Sequence, residues 1–137
     1  MRFFVLVIGL SIASGPLMAG CNKSLLLFDS WTSEPINSDK VRLTSNFTYK
    51  GDRPIRMLDA KAEFRDILGE FIADFALERD ISLIKGATHQ VVKTWDLDFG
   101  LWVDFNVERL LDLNPTDINQ WVCVEGVVYQ DGNVEKF

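Results

Sequence analysis

From Val41 to Tyr49, apolar Val41, Leu43, Phe47 and Tyr49 alternate with polar Arg42, Thr44, Asn46 and Thr48. This two-residue period is that of a half-buried strand, whose side chains point alternately to opposite faces. Gly51-Asp52-Arg53-Pro54 supplies turn residues. The alternation then resumes, with Leu58, Ala60, Ala62 and Phe64 on one parity and Met57, Asp59, Lys61, Glu63 and Arg65 on the other. Gln90 to Leu97, Leu101 to Val107 and Trp121 to Tyr129 repeat the pattern, and Asp131-Gly132 marks a tight turn before a last short segment. Leu110 to Asn119 is irregular around Pro115, with a helical turn expected from Thr116.

Two stretches admit a second reading. Phe64, Ile67, Leu68, Phe71, Ile72 and Phe75 also fall at helical spacing, so a helix over 61–78 in an α+β fold competes with a hairpin. Gly69 in mid-helix would cost about 1 kcal/mol, and Asp66 to Gly69 suits a turn, which favours two strands. Residues 21–40 combine an apolar patch, Leu25 to Phe28, with a polar stretch, and read either as a first strand and loop or as a tether. Some seven short strands at intervals of about ten residues predict an all-β antiparallel sandwich over 41–137.

The segment before residue 21 follows a different pattern. Arg2 gives a positive start, Phe3 to Ile12 are almost all apolar, Gly15 and Pro16 break the run, and Met18-Ala19-Gly20 precede Cys21. The layout is that of a secretory signal, and it is too short for the roughly 20 apolar residues of a permanent span. Met18-Ala19-Gly20-Cys21 resembles the lipobox of bacterial lipoproteins, with Met18 where Leu is usual. The resemblance implies cleavage after residue 20 and a thioether-linked diacylglycerol on Cys21, a lasting membrane anchor. It also implies outer-membrane sorting in a cell with two membranes, because Asn22 stands where an Asp would retain the protein at the inner one. An ordinary signal peptide with a chance cysteine is the alternative.

Cleavage would leave 117 of the 137 residues, one domain with one modest core. The chain's formal charge of −6 falls to about −7 once Arg2 is removed. A surface of that sign disfavours nucleic acid and binding to anionic lipid through a basic patch. With Cys21 lipidated, Cys123 is expected to stand alone as a small buried hydrophobe on a strand, and no internal disulfide is expected.

Candidate chemistry is sparse. His89 is the only histidine, next to the Gly86 turn, and reads as a surface residue; one His and one free Cys cannot supply a zinc set. Asp96, Asp98 and Asp104 are close enough in sequence to suggest calcium or an acid–base pair, although on an alternating strand they would project into water. Asp112, Asn114 and Asp117 form an oxygen-rich loop that fails the EF-hand spacing. Trp102 shares parity with Asp104 and Asn106, which turns it outward among carboxylates as a surface contact for carbohydrate or protein; a central strand covered on both faces is the other reading. No catalytic residue, metal or cofactor is expected.

Phe64-x-Asp66, Gly69 and Gly86 resemble a scheme found in the small immunoglobulin-like domains of bacterial envelope lipoproteins, including the FxLYD type. Arg65 stands between the aromatic and the Asp, and the full motif is absent. The resemblance implies an immunoglobulin-like sandwich and carries no catalytic residues. The expected function is a lipid-anchored, non-enzymatic binding or accessory module of the cell envelope, facing the periplasm, with an envelope protein or glycan as partner. An envelope hydrolase or carbohydrate-active protein using Asp96, Asp98 or Asp104 is one alternative, and an inhibitor or immunity lipoprotein with an acidic contact surface is another.

Overall fold

A computed structural model describes residues 20–97 and 107–137. Strands β1 (Leu26–Asn37), β2 (Lys40–Tyr49), β3 (Ile55–Asp66), β4 (Phe71–Ala76) and β5 (Thr88–Asp96) are followed by a single helical turn, α1 (Arg109–Asp112). A 3-10 turn (Pro115–Asp117), β6 (Ile118–Tyr129) and β7 (Val134–Lys136) complete the chain. One sheet has the order β1-β2-β5 and the other β4-β3-β6-β7, and every pairing is antiparallel. The chain is an all-β sandwich of two antiparallel sheets.

The alternation read along the chain becomes the core. Val41, Leu43 and Phe47 of one sheet meet Ala62, Phe64, Ile72 and Val122 of the other, all at 0 or 1 % exposure. An aromatic layer crosses the interface. Phe64 of β3 lies 5.4 Å from both Phe28 and Trp31 of β1, Phe28 lies 4.6 Å from Phe47, and Phe75 of β4 lies 6.1 Å from Trp95 of β5. The partners meet edge-on, a geometry that adds about 0.5–1.5 kcal/mol per pair to simple burial.

The region that could have been helical is a β3–β4 hairpin, so the alternative helix over 61–78 does not form. Asp66 closes the hairpin: its Oδ1 accepts backbone N–H bonds from Leu68 (3.0 Å) and Glu70 (2.9 Å), while Gly69 takes a φ of 91°. Only glycine adopts that conformation without cost, which is why Gly69 sits in the turn rather than in a helix. Gly86, at φ 82°, turns the chain in the same way before β5.

The strand at the chain start is longer than its sequence suggests. β1 continues through Ser30 to Asn37, a stretch expected to be loop, because β2 pairs with it from Tyr49 to Lys40. A register shift between Phe28 and Ser30 leaves Asp29 as a bulge. The extra residue reverses the parity, so that Phe28 before it and Trp31 after it both reach the core. The sandwich therefore begins well before residue 41. At one end Val107 and Leu110 are buried, and the Ser33 hydroxyl donates to the Leu110 carbonyl (2.6 Å), tying α1 to β1.

Candidate functional site

The residue singled out for processing lies where the chain enters the fold. Asn22 pairs with Val124 of β6 through reciprocal backbone bonds of 2.8 and 2.9 Å, on the side of β6 that β7 occupies further along. The Asn22 side chain accepts N–H bonds from Ser24 (2.8 Å) and Leu25 (3.1 Å), which turns the chain from β6 toward β1. Lys23 places its Nζ 4.8 Å from the centre of the Trp121 ring, a cation–π contact on the outer face of the second sheet. No tether separates Cys21 from the domain, because its immediate neighbour is already hydrogen-bonded to a central strand.

The structure corrects the expectation for Cys123. It does lie on a strand, but on the outer, half-buried face of β6, and it forms a disulfide with Cys21 across a Cα–Cα distance of 5.1 Å. The antiparallel Asn22–Val124 bridge is the physical reason: it holds the segment that carries Cys21 against β6, within reach of Cys123 one residue before Val124. A thioether on Cys21 and this disulfide use the same sulfur, so they belong to two chemical forms of the chain.

Beside Cys21 the outer face of β3, β6 and β7 holds a groove of about 370 Å³. Met57, Val128, Val134 and Phe137 give it an apolar wall, Asp59, Arg79, Glu125 and Lys136 stand at its polar side, and Gly20, Cys21 and Cys123 form one end. Met57 is 36 % and Val134 63 % exposed. The carboxyl-terminal residue reaches the groove because the Phe137 N–H donates to the Glu125 carbonyl (3.0 Å). Nothing in the strand periodicity marks these residues as neighbours, since Met57 and Arg79 are distant in sequence from Val128, Val134 and Phe137.

The other candidates are dispersed. Asp96 ends β5 and pairs with Lys40 at 3.6 Å, and Asp98, Trp102 and Asp104 lie outside the described residues, as does the strand expected from Leu101. His89 lies within β5 opposite Phe47, half-buried rather than in a loop. Asn114 is a capping residue: its Oδ1 accepts from the Thr116 N–H (3.0 Å) and hydroxyl (2.9 Å) at the 3-10 turn. Trp31 and Trp95 pack against the core. Among the described residues no group of three or more His, Cys, Asp and Glu side chains could hold a metal ion.

Among the described residues, polar clusters around Asp66 and around Arg53 brace the fold. Asp66, 6 % exposed, receives the Arg109 guanidinium at 2.9 Å, which also reaches Glu70 at 3.3 Å. The backbone N–H bond from Glu70 and the hydrogen bond from Arg109 hold the Asp66 carboxyl below the usual carboxylate range against the opposing effect of desolvation. At the opposite end the Tyr49 hydroxyl donates to the Arg53 carbonyl (2.6 Å), and the Arg53 guanidinium stacks 3.7 Å from the Tyr129 ring centre while binding Asp131 at 2.8 Å. The Tyr129 hydroxyl donates to Glu135; that bond, then burial, push Tyr129 up to about 12. A phenol so held is a poor acid or base near neutral pH. No family model matches the chain, and no curated protein matches it either.

Proposed function

We propose that this chain is an exported, lipid-anchored envelope protein whose single sandwich domain serves as a non-enzymatic binding or accessory module. The observation that carries this reading is Met18-Ala19-Gly20-Cys21 closing an Arg2-led apolar run at the residue where the fold begins. Cleavage before Cys21 would release a chain that is paired into the sandwich from its second residue. Two acyl chains suffice for stable attachment, at about 0.8 kcal/mol per buried methylene. Export also fits a chain able to form a disulfide, which persists in oxidising compartments. In the lipidated form Cys123 keeps a thiol; the disulfide belongs to chains whose Cys21 has received no lipid. Asn22 after the cysteine supports the outer membrane as destination where the cell has two membranes.

The test is fractionation of cells expressing wild-type and Cys21→Ser chains, with mass analysis of the mature amino-terminal peptide. Wild type is expected in the membrane pellet with diacylglycerol on Cys21, and Cys21→Ser in the soluble fraction. A Cys21→Ser chain that stays with the membrane, or a wild-type amino-terminal peptide without lipid, would refute the anchor.

A further inference from the structure

We infer that the groove beside Cys21 is a membrane-contact surface, which lies against the bilayer lipids into which the Cys21 anchor inserts. This rests on the anchoring reading above. Three observations converge on it. First, Cys21 itself lines the groove, so an anchor on its sulfur begins at the groove's end. Second, Asn22 is hydrogen-bonded to Val124 in both directions, so the domain has at most one residue, some 3.3–3.6 Å of chain, with which to stand away from its attachment point. A lipoprotein with a long linker can present any face to its membrane; this one is restricted to the face that carries Cys21, the outer side of β3, β6 and β7.

Third, that face has the composition such a contact needs. Met57, Val134 and the half-buried Phe137 form an exposed apolar strip, edged by Arg79 and Lys136 and by Asp59 and Glu125, whose opposite charges balance, with Arg79 3.9 Å from Asp59. A basic patch strong enough to bind anionic lipid from solution is not required. Attachment through Cys21 makes the contact intramolecular, so a weak apolar interaction is populated at the high effective concentration of lipid around the anchor. Long basic side chains at the edge can bury their methylenes while their charged ends stay at the headgroups. The opposite sheet, with exposed Val92 on β5, then faces away from the membrane and is available to an envelope partner.

The experiment places the photo-crosslinker p-benzoylphenylalanine at Val134, or at Val92 as the control, in the full chain in cells whose phospholipids carry radioactive phosphate. Both positions are exposed, so neither replacement disturbs the core. After irradiation, the Val134 probe is expected to capture at least about fivefold more labelled phospholipid than the Val92 probe. Equal capture at both positions, or a protein adduct at Val134 in place of lipid, would overturn the inference even where mass analysis confirms the Cys21 lipid. A mature peptide without lipid would instead remove the anchor, and the membrane-contact face with it.

Discussion

Cys123→Ser separates the two forms of the chain, because it removes the disulfide and leaves the processing sequence intact. In an unlipidated chain the bond joins residues 102 apart in sequence, so it closes nearly the whole domain into one loop. Loop-closure entropy for about 100 residues corresponds to roughly 4.7 kcal/mol at 25 °C as an upper expectation, and native disulfides in small exported domains are worth about 2–5 kcal/mol. With a urea dependence of about 1–3 kcal/mol per molar, the midpoint should fall by roughly 1 M or more. In the lipidated chain the sulfur of Cys21 is already in a thioether, so the same substitution exchanges one half-buried thiol for a hydroxyl and should shift the midpoint very little. Urea titrations of detergent-solubilised membrane protein and of chain produced without its signal segment, each as wild type and Cys123→Ser, provide the assay. A large destabilisation of the membrane form would show that it carries the disulfide and would refute the anchor assignment. A negligible effect on the oxidised unlipidated form would refute the loop-closure argument.

Three further outcomes follow from the core and turns. Phe64→Ala empties the centre of the aromatic layer and should cost about 3–5 kcal/mol by denaturant titration, a large share of a small domain's stability; a loss below about 1.5 kcal/mol would mean that Phe28 and Trp31 do not pack on it. Gly51→Ala places a Cβ 2.2 Å from the hydroxyl oxygen of Tyr49, whose side chain is 1 % exposed and bonded to the Arg53 carbonyl, so about 1–3 kcal/mol should be lost in thermal unfolding, with Tyr49→Phe/Gly51→Ala losing less than the sum of the single changes. Asp66 has a folded pKa below its ordinary 3.8, so its contribution to stability is present above that value and is lost as pH falls through the folded pKa; Asp66→Asn should lower Tm at neutral pH and make the acid-side fall in Tm shallower, and an unchanged acid limb would refute the assignment.

Local physical chemistry accounts for most of the strands. The period of two in β2, β3, β5 and β6 could be read without the fold, because β2, β3 and β6 bury one face and β5 half-buries His89, Val91 and Trp95. Gly69 and Gly86 punctuated the chain for an equally local reason, their positive φ. The hairpin at Asp66 was legible as a turn but not separable from an amphipathic helix by spacing alone. Only β6 and Arg109, brought beside it by the fold, complete its hydrogen bonding.

What the chain determined by itself was thus most of the described strands and the turns between them, which are encoded in contiguous residues. The tertiary structure alone decided that the polar stretch after Phe28 is a strand, since β2 supplies its pairing and the Asp29 bulge shifts its parity. It alone decided that Cys123 meets Cys21, since a separation of 102 residues leaves no local trace. The groove between that pair and Phe137 likewise exists only once β3, β6 and β7 are neighbours. Contacts between distant segments depend on which sheets form and in which register, and periodicity reports a residue's face without naming the residue opposite it.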